Sequence, residues 1–104
     1  MKTRAFTMKL FPGFEAEYKK RHYEIWPELA EEIRSVGISN YNVFLDEKTL
    51  ILYASYEYNE EEKADGLAQK PVTKKWWKFM ADIMETNPDD SPVCLPLKQV
   101  FHMD

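Results

Sequence analysis

Cysteine occurs once in the 104 residues, as Cys94, and histidine only twice. A single thiol forms no internal disulfide, so the chain reads as a protein of a reducing cytoplasm. Two histidines and one cysteine are also a poor donor set for a metal. His22-Tyr23-Glu24 matches the H-x-E half of the zinc deaminase signature, but the P-C-x-x-C half is missing. Glycine is scarce, and its three copies stand singly, which removes the glycine-rich loops that cradle phosphates and dinucleotides. No G-x-S-x-G is present, and Cys94 sits in a proline-flanked loop, so a Ser or Cys nucleophile has no local signature. No apolar run approaches a membrane span, and Met1-Lys2-Thr3-Arg4 leads into an alternating segment rather than a signal peptide's apolar block. Positive charge is in deficit: 14 Lys and Arg against 18 Asp and Glu give a net charge of −4. That argues against nucleic acid or a membrane surface as a partner.

What is present is aromatic and globular. Hydrophobic residues make up 44% and charged residues 31%, with six Tyr, six Phe and three Trp. A chain of this size reads as one domain, residues 1–104, able to bury a core without covalent staples. Residues 3–11 alternate, with Phe6, Met8 and Leu10 on one side, and predict a strand. Pro12-Gly13 ends it and a helix follows. Pro27 either kinks that helix or starts a second one, for which Gly37 is the stop. Residues 38–46 and 50–58 predict a hairpin. Asn59 is placed to cap a helix with Glu62 in a capping-box variant. Pro71 opens a helical pattern running through Ile83, and residues 97–103 predict a last strand. The order β-α-β-β-α-β is that of a ferredoxin-like α+β fold, an antiparallel sheet with helices on one face. Large side chains on both faces of residues 50–58 predict a homodimer packed sheet to sheet, with a cavity between sheet and helices.

Phe14, Tyr18, His22, Ile25 and Leu29 lie on one helical stripe. A histidine there is either a quiet core residue or a working one. Trp76 and Trp77 are adjacent on a helix and point about 100° apart, so one packs in the core and the other flanks a pocket, or both line its corner. Lys74, Lys75 and Lys78 around them read as a solvated face, Glu60–Glu62 as a helix start, and Asp89-Asp90 as turn formers. One acid–base group, phenols and indoles, with no metal or cofactor, suit proton transfer on a polyhydroxylated small molecule.

The segments RHYEIWPEL (21–29), WWKFMADIM (76–84) and NPDDSPV (87–93) resemble the L-rhamnose mutarotase family, and the likeness runs over essentially the whole chain. The resemblance implies a small cytoplasmic homodimer of ferredoxin-like fold. Its implied activity is that of an isomerase interconverting the α and β anomers of L-rhamnose in rhamnose catabolism, without cofactor. It implies His22 as the catalytic acid–base residue acting as proton donor, and Tyr18, Tyr41, Trp76 and Trp77 as sugar-binding residues. The residues themselves leave the second proton-handling group open between Tyr18, a carboxylate and a water. Two rival readings are a dimeric ferredoxin-like haem monooxygenase with His22 as axial ligand, and a binding domain in which His22 is merely buried.

Overall fold

In the computed structural model, which describes residues 1–104, the elements follow in the order β1 (Lys2–Lys9), α1 (Glu15–Tyr23), α2 (Pro27–Ser35), β2 (Ser39–Asp46), β3 (Ile51–Tyr58), α3 (Glu61–Asp65), a 3-10 turn (Gly66–Gln69), α4 (Pro71–Met80) and β4 (Leu95–Leu97). The strands lie in the order β2-β3-β1-β4, every neighbouring pair antiparallel. That is the ferredoxin-like α+β arrangement expected from the order of elements. No helix is long and apolar enough to cross a membrane.

Proline and glycine set the helix ends as the sequence predicts. Pro27 starts a second helix rather than kinking the first, and occupies the position where a missing N–H costs nothing. That helix ends in a Schellman motif: the Gly37 amide donates to the Arg34 carbonyl and the Ile38 amide to Ile33. Gly37 sits at φ +82°, a region that favours glycine.

Three expectations are corrected. Asn59 does not cap α3; Glu60 holds that position without a side-chain hydrogen bond, and the Asn59 side chain lies against Gly37 instead. The helix opened by Pro71, α4, stops at Met80, and Ile83 reaches the core from the turn beyond. The last strand is Leu95–Leu97 rather than residues 97–103, pairing only with Ala5 to Thr7. Pro96 is tolerated there because β4 is an edge strand. Residues 98–104 leave the sheet, so their apolar alternation has no ladder in this chain.

Alternation assigns the sheet's two faces. Leu52, Ala54, Tyr56 and Tyr58 turn toward the helices and are buried. Leu52 and Ala54 join Met8, Leu29, Val72, Trp76, Met80 and Ile83 in the main core. The other face is uncovered. Across it, Phe44, Tyr53, Thr7 and Leu95 form one row, and Asn42, Ser55, Ala5 and Leu97 the next. Phe44 is 67% exposed and Leu95 64%.

Candidate active site

Four elements on the helix-covered side supply the site. Helix α1 contributes Tyr18 and His22, one turn apart. Their rings stack with centroids 4.2 Å apart and planes inclined by 21°. The His22 Nδ1 lies 3.1 Å from the Tyr18 carbonyl oxygen. When Nδ1–H donates there, the tautomer is settled and the Nε2 lone pair is left for a ligand. Helix α4 brings Trp76 edge-to-face against His22, at 5.5 Å and 83°. Trp76 is 8% exposed and is itself braced by Trp26 at 5.1 Å and Phe79 at 5.6 Å.

Tyr41 comes from a β-bulge in β2. Ser39 pairs with Glu57 and Asn42 with Ser55, so Asn40 and Tyr41 together oppose Tyr56. Asn40 takes the extra residue's strain at φ +48°, a conformation asparagine tolerates. Tyr41 thereby stacks on Tyr56 at 5.2 Å. Tyr56 is held in turn by Arg4, whose Nη1 donates to its hydroxyl at 2.9 Å and to Asp65 at 2.8 Å.

The electrostatics separate the histidine from the phenols. Burial lowers the proton affinity of His22 below its ordinary 6.5, opposed in part by the hydrogen bond to the Tyr18 carbonyl. Burial pushes the Tyr18 and Tyr41 hydroxyls up, so both stay protonated well past neutrality. Tyr41 as a whole residue is 43% exposed, which fits a ring edge at the surface and a hydroxyl directed inward. That hydroxyl also feels Tyr18, Tyr56 and Cys94, all of which would oppose its ionisation. Cys94 is an exposed residue whose thiol is nonetheless raised by partial desolvation.

Of the residues expected in the site, Tyr18 and Trp76 each meet His22, while Tyr41 lies on the sheet side, stacked on Tyr56, with its hydroxyl within electrostatic reach of Tyr18. Trp77 stands apart. It points about 100° round α4 from Trp76 and packs half-buried against the main core. The open cavity expected between sheet and helices is not among the two main hollows. One of about 400 Å3 lies by Ser35, Lys63 and Lys70. The other, of about 240 Å3, lies by Glu17, Arg21, Trp26 and Phe79. Neither takes in His22, Tyr18 or Tyr41.

Trp26, Tyr56 and Arg4 are contributors that pattern reading passed over. Trp26 had a usable signal, since it stands four residues after His22. Tyr56 and Arg4 had none, because their role follows from the register that pairs them across β1 and β3.

A ferredoxin-like α+β fold with a lone histidine among phenols and indoles defines the class, a small-molecule enzyme domain. The family model described as L-rhamnose mutarotase matches residues 3–103. The chain belongs to the L-rhamnose mutarotase family. An L-rhamnose mutarotase of Lachnoclostridium phytofermentans is 57% identical over 104 residues, all of both chains. Another, of Phocaeicola vulgatus, is 50% identical over the same span, again all of both chains. The crystal structure of an L-rhamnose mutarotase from Formosa agariphila is similar at a TM-score of 0.93 and 44% identity, covering 100% of each chain. A putative antibiotic biosynthesis monooxygenase from Nitrosomonas europaea matches at a TM-score of 0.65 over 95% of this chain and 89% of its own. At 10% identity that likeness concerns the fold alone.

Proposed function

We propose that this protein is an isomerase interconverting the α and β anomers of L-rhamnose, with His22 as its proton carrier. The observation that carries the reading is the seat of His22, tied at Nδ1 and free at Nε2 between two aromatic walls, in a chain of this family. Mutarotation requires the anomeric hydroxyl to lose a proton, the bond from the anomeric carbon to the ring oxygen to break, and that oxygen to gain a proton. The aldehyde then turns and the ring recloses by the reverse steps.

With its proton affinity lowered, His22 is uncharged near neutral pH and begins as the base. Nε2 takes the anomeric proton, and the imidazolium so formed is the donor to the ring oxygen. Both oxygens are bonded to one carbon, so a single imidazole reaches each in turn. The Tyr18 ring stacked on the imidazole favours its cationic form. A positioned transfer of this kind contributes roughly 10²–10⁴-fold. Tyr18 and Tyr41, held protonated, act as hydrogen-bond donors that orient sugar hydroxyls rather than as the second base. Trp76, which meets His22, packs against the sugar's C–H side, and Trp77, farther round α4, meets the sugar away from the proton carrier. The direct test is saturation-transfer NMR of anomer exchange in L-rhamnose, with and without enzyme. An unchanged exchange rate at saturating enzyme would refute the activity.

The pH dependence follows from the direction of the His22 shift. Exchange at sugar concentrations well below saturation, where the rate reports the free enzyme, is expected to be flat through neutrality and to fall on the acid side, with a midpoint below 6.5. A midpoint above that value would contradict a neutral resting imidazole. Stability follows the same group. Because the unfolded chain binds this proton first, the contribution of His22 is complete above about pH 6.5 and is lost as pH falls through the lower folded-state value.

The open sheet face supports a homodimer, and the lone free thiol a cytoplasmic setting. Exposed Phe44, Tyr53, Leu95 and Leu97 gather on one face, and contiguous apolar patches of this kind mark interaction surfaces. Sedimentation at low micromolar concentration is expected to give about twice the 12.4 kDa chain mass. Phe44→Asp, on the most exposed side chain of its row, should return it to a single chain mass. A parent protein that sediments as one chain would remove the interface.

A further inference from the structure

We infer that Arg21 is a positioning residue for His22: its guanidinium pins α1 to the end of α4 and so sets where the next residue faces. This rests on the reading of His22 as proton carrier. The Arg21 side chain is only 13% exposed, and all three of its nitrogens are engaged. Nε donates to Glu17 Oε2 at 2.7 Å. Nη1 donates to the Phe79 carbonyl at 2.8 Å and to Asp82 Oδ1 at 2.9 Å, and Nη2 to Asp82 Oδ2 at 3.2 Å. The guanidinium carbon also lies 4.4 Å from the centre of the Phe79 ring.

These contacts divide into a brace and an anchor. Glu17 is one turn back on α1 and stiffens the side chain from its own helix. Phe79 lies at the far end of α4 and Asp82 in the turn just beyond it. There the Lys78 and Met80 carbonyls accept from the Ala81 and Ile83 amides, while the Phe79 carbonyl takes Arg21. A cation at a helix C-terminus is favoured by the helix dipole. A planar fork that meets both oxygens of one carboxylate and a carbonyl beside it has a single orientation, which an ammonium cannot reproduce.

The consequence for the site comes from helical phase. Successive residues turn by about 100°, so with Arg21 held on α4, His22 is directed at Trp76, which stands one turn before the anchored carbonyl. The ring that His22 meets edge-on at 5.5 Å and the peptide that Arg21 grips therefore belong to the same stretch of helix. If α1 were free to roll, Nε2 would drift relative to the sugar, and a misplacement of about 1 Å at reacting atoms costs on the order of 10²-fold.

The test uses Arg21→Met, which keeps the stem and removes the fork, in the full chain. Thermal unfolding, kcat and KM for anomer exchange, and the NMR titration of the His22 imidazole are read together. The expected result is a folded protein with kcat lowered roughly 10-fold or more and KM within about twofold. The imidazole midpoint should move up toward 6.5 as its packing loosens. Arg21→Lys should recover little of the loss. Added to His22→Asn, Arg21→Met should lower the residual exchange no further, because the two act as one unit. A folded Arg21→Met with parental kcat overturns the inference, as does a loss of equal size in the His22→Asn background. If Arg21→Met does not fold, Asp82→Asn weakens the anchor alone: a smaller loss in kcat with KM unchanged supports the inference, and a parental kcat overturns it. Failure of the underlying reading has a separate signature. Full exchange by His22→Asn would remove the proton carrier itself, whereas slow His22→Asn beside a parental Arg21→Met removes only the positioning role.

Discussion

His22→Asn is expected to slow anomer exchange by roughly 10²-fold or more while the protein remains folded. Asparagine can still donate one hydrogen bond near the Tyr18 carbonyl, so the packing around it is largely kept. It cannot take up and release a proton near neutral pH, and nothing else in the aromatic site does so in its place. The two phenols are held protonated by burial. Were His22 only structural, the pattern would invert. Stability would drop by about 1–3 kcal/mol for a buried partner left unpaired, and exchange per folded molecule would persist. Thermal unfolding and exchange measured on one sample separate the two cases, and near-parental exchange by a folded variant would end the catalytic role.

Trp76→Ala is expected to cost about 3–5 kcal/mol of folding stability, because it empties an aromatic cluster in addition to removing a ligand wall. Trp76 is buried in the main core and touches Trp26, Phe79 and His22. Against a total of roughly 5–15 kcal/mol for a domain of this kind, that is a large fraction. Trp77→Ala should behave differently. Trp77 is half-buried at the edge of the core, so its loss should weaken sugar binding more than the turnover of bound sugar, since stacking stabilises ground and transition states alike. Denaturant unfolding of both variants, with the half-saturation concentration for L-rhamnose, checks the contrast. Equal stability losses would mean that Trp76 carries no more of the core than Trp77 does.

Much of the fold is legible in the chain because its signals are local. Pro27 and Pro71 open helices, Gly37 closes one, and the alternation of residues 50–58 assigns the faces of β3 without any knowledge of its partners. The stripe that includes Tyr18 and His22 could be read the same way, even though α1 ends at Tyr23 before the stripe is complete. What could not be read depends on partners distant in sequence. Asn59 has the chemistry of a cap, yet Gly37 takes its side chain. The bulge at Asn40 and Tyr41 exists only relative to the register of β3. Residues 97–103 read as a strand from their own sequence, but after Leu97 the chain leaves β1 even though the edge at Lys2 to Arg4 is still open to it. The resemblance to the family named all five candidate site residues, whereas Arg21 and Tyr56 behind them needed coordinates, and Trp26 needed only its spacing from His22.

The strand order also governs the sequence of events during synthesis. Of the four strands, β1 leaves the ribosome first, yet one of its two neighbours, β4, leaves last. Through most of translation β1 therefore carries an open edge, able to pair with another nascent chain. The hairpin of β2 and β3 is made before the segment Leu95 to Leu97 that pairs with Ala5 to Thr7, and so is free to dock on β1 while that edge is still open. A ribosome that stalled ahead of Leu95 would release a chain with its helices and three strands in place and the unprotected side of β1 facing solvent. Quality control, rather than catalysis, would be the first process to register the loss of so small a strand.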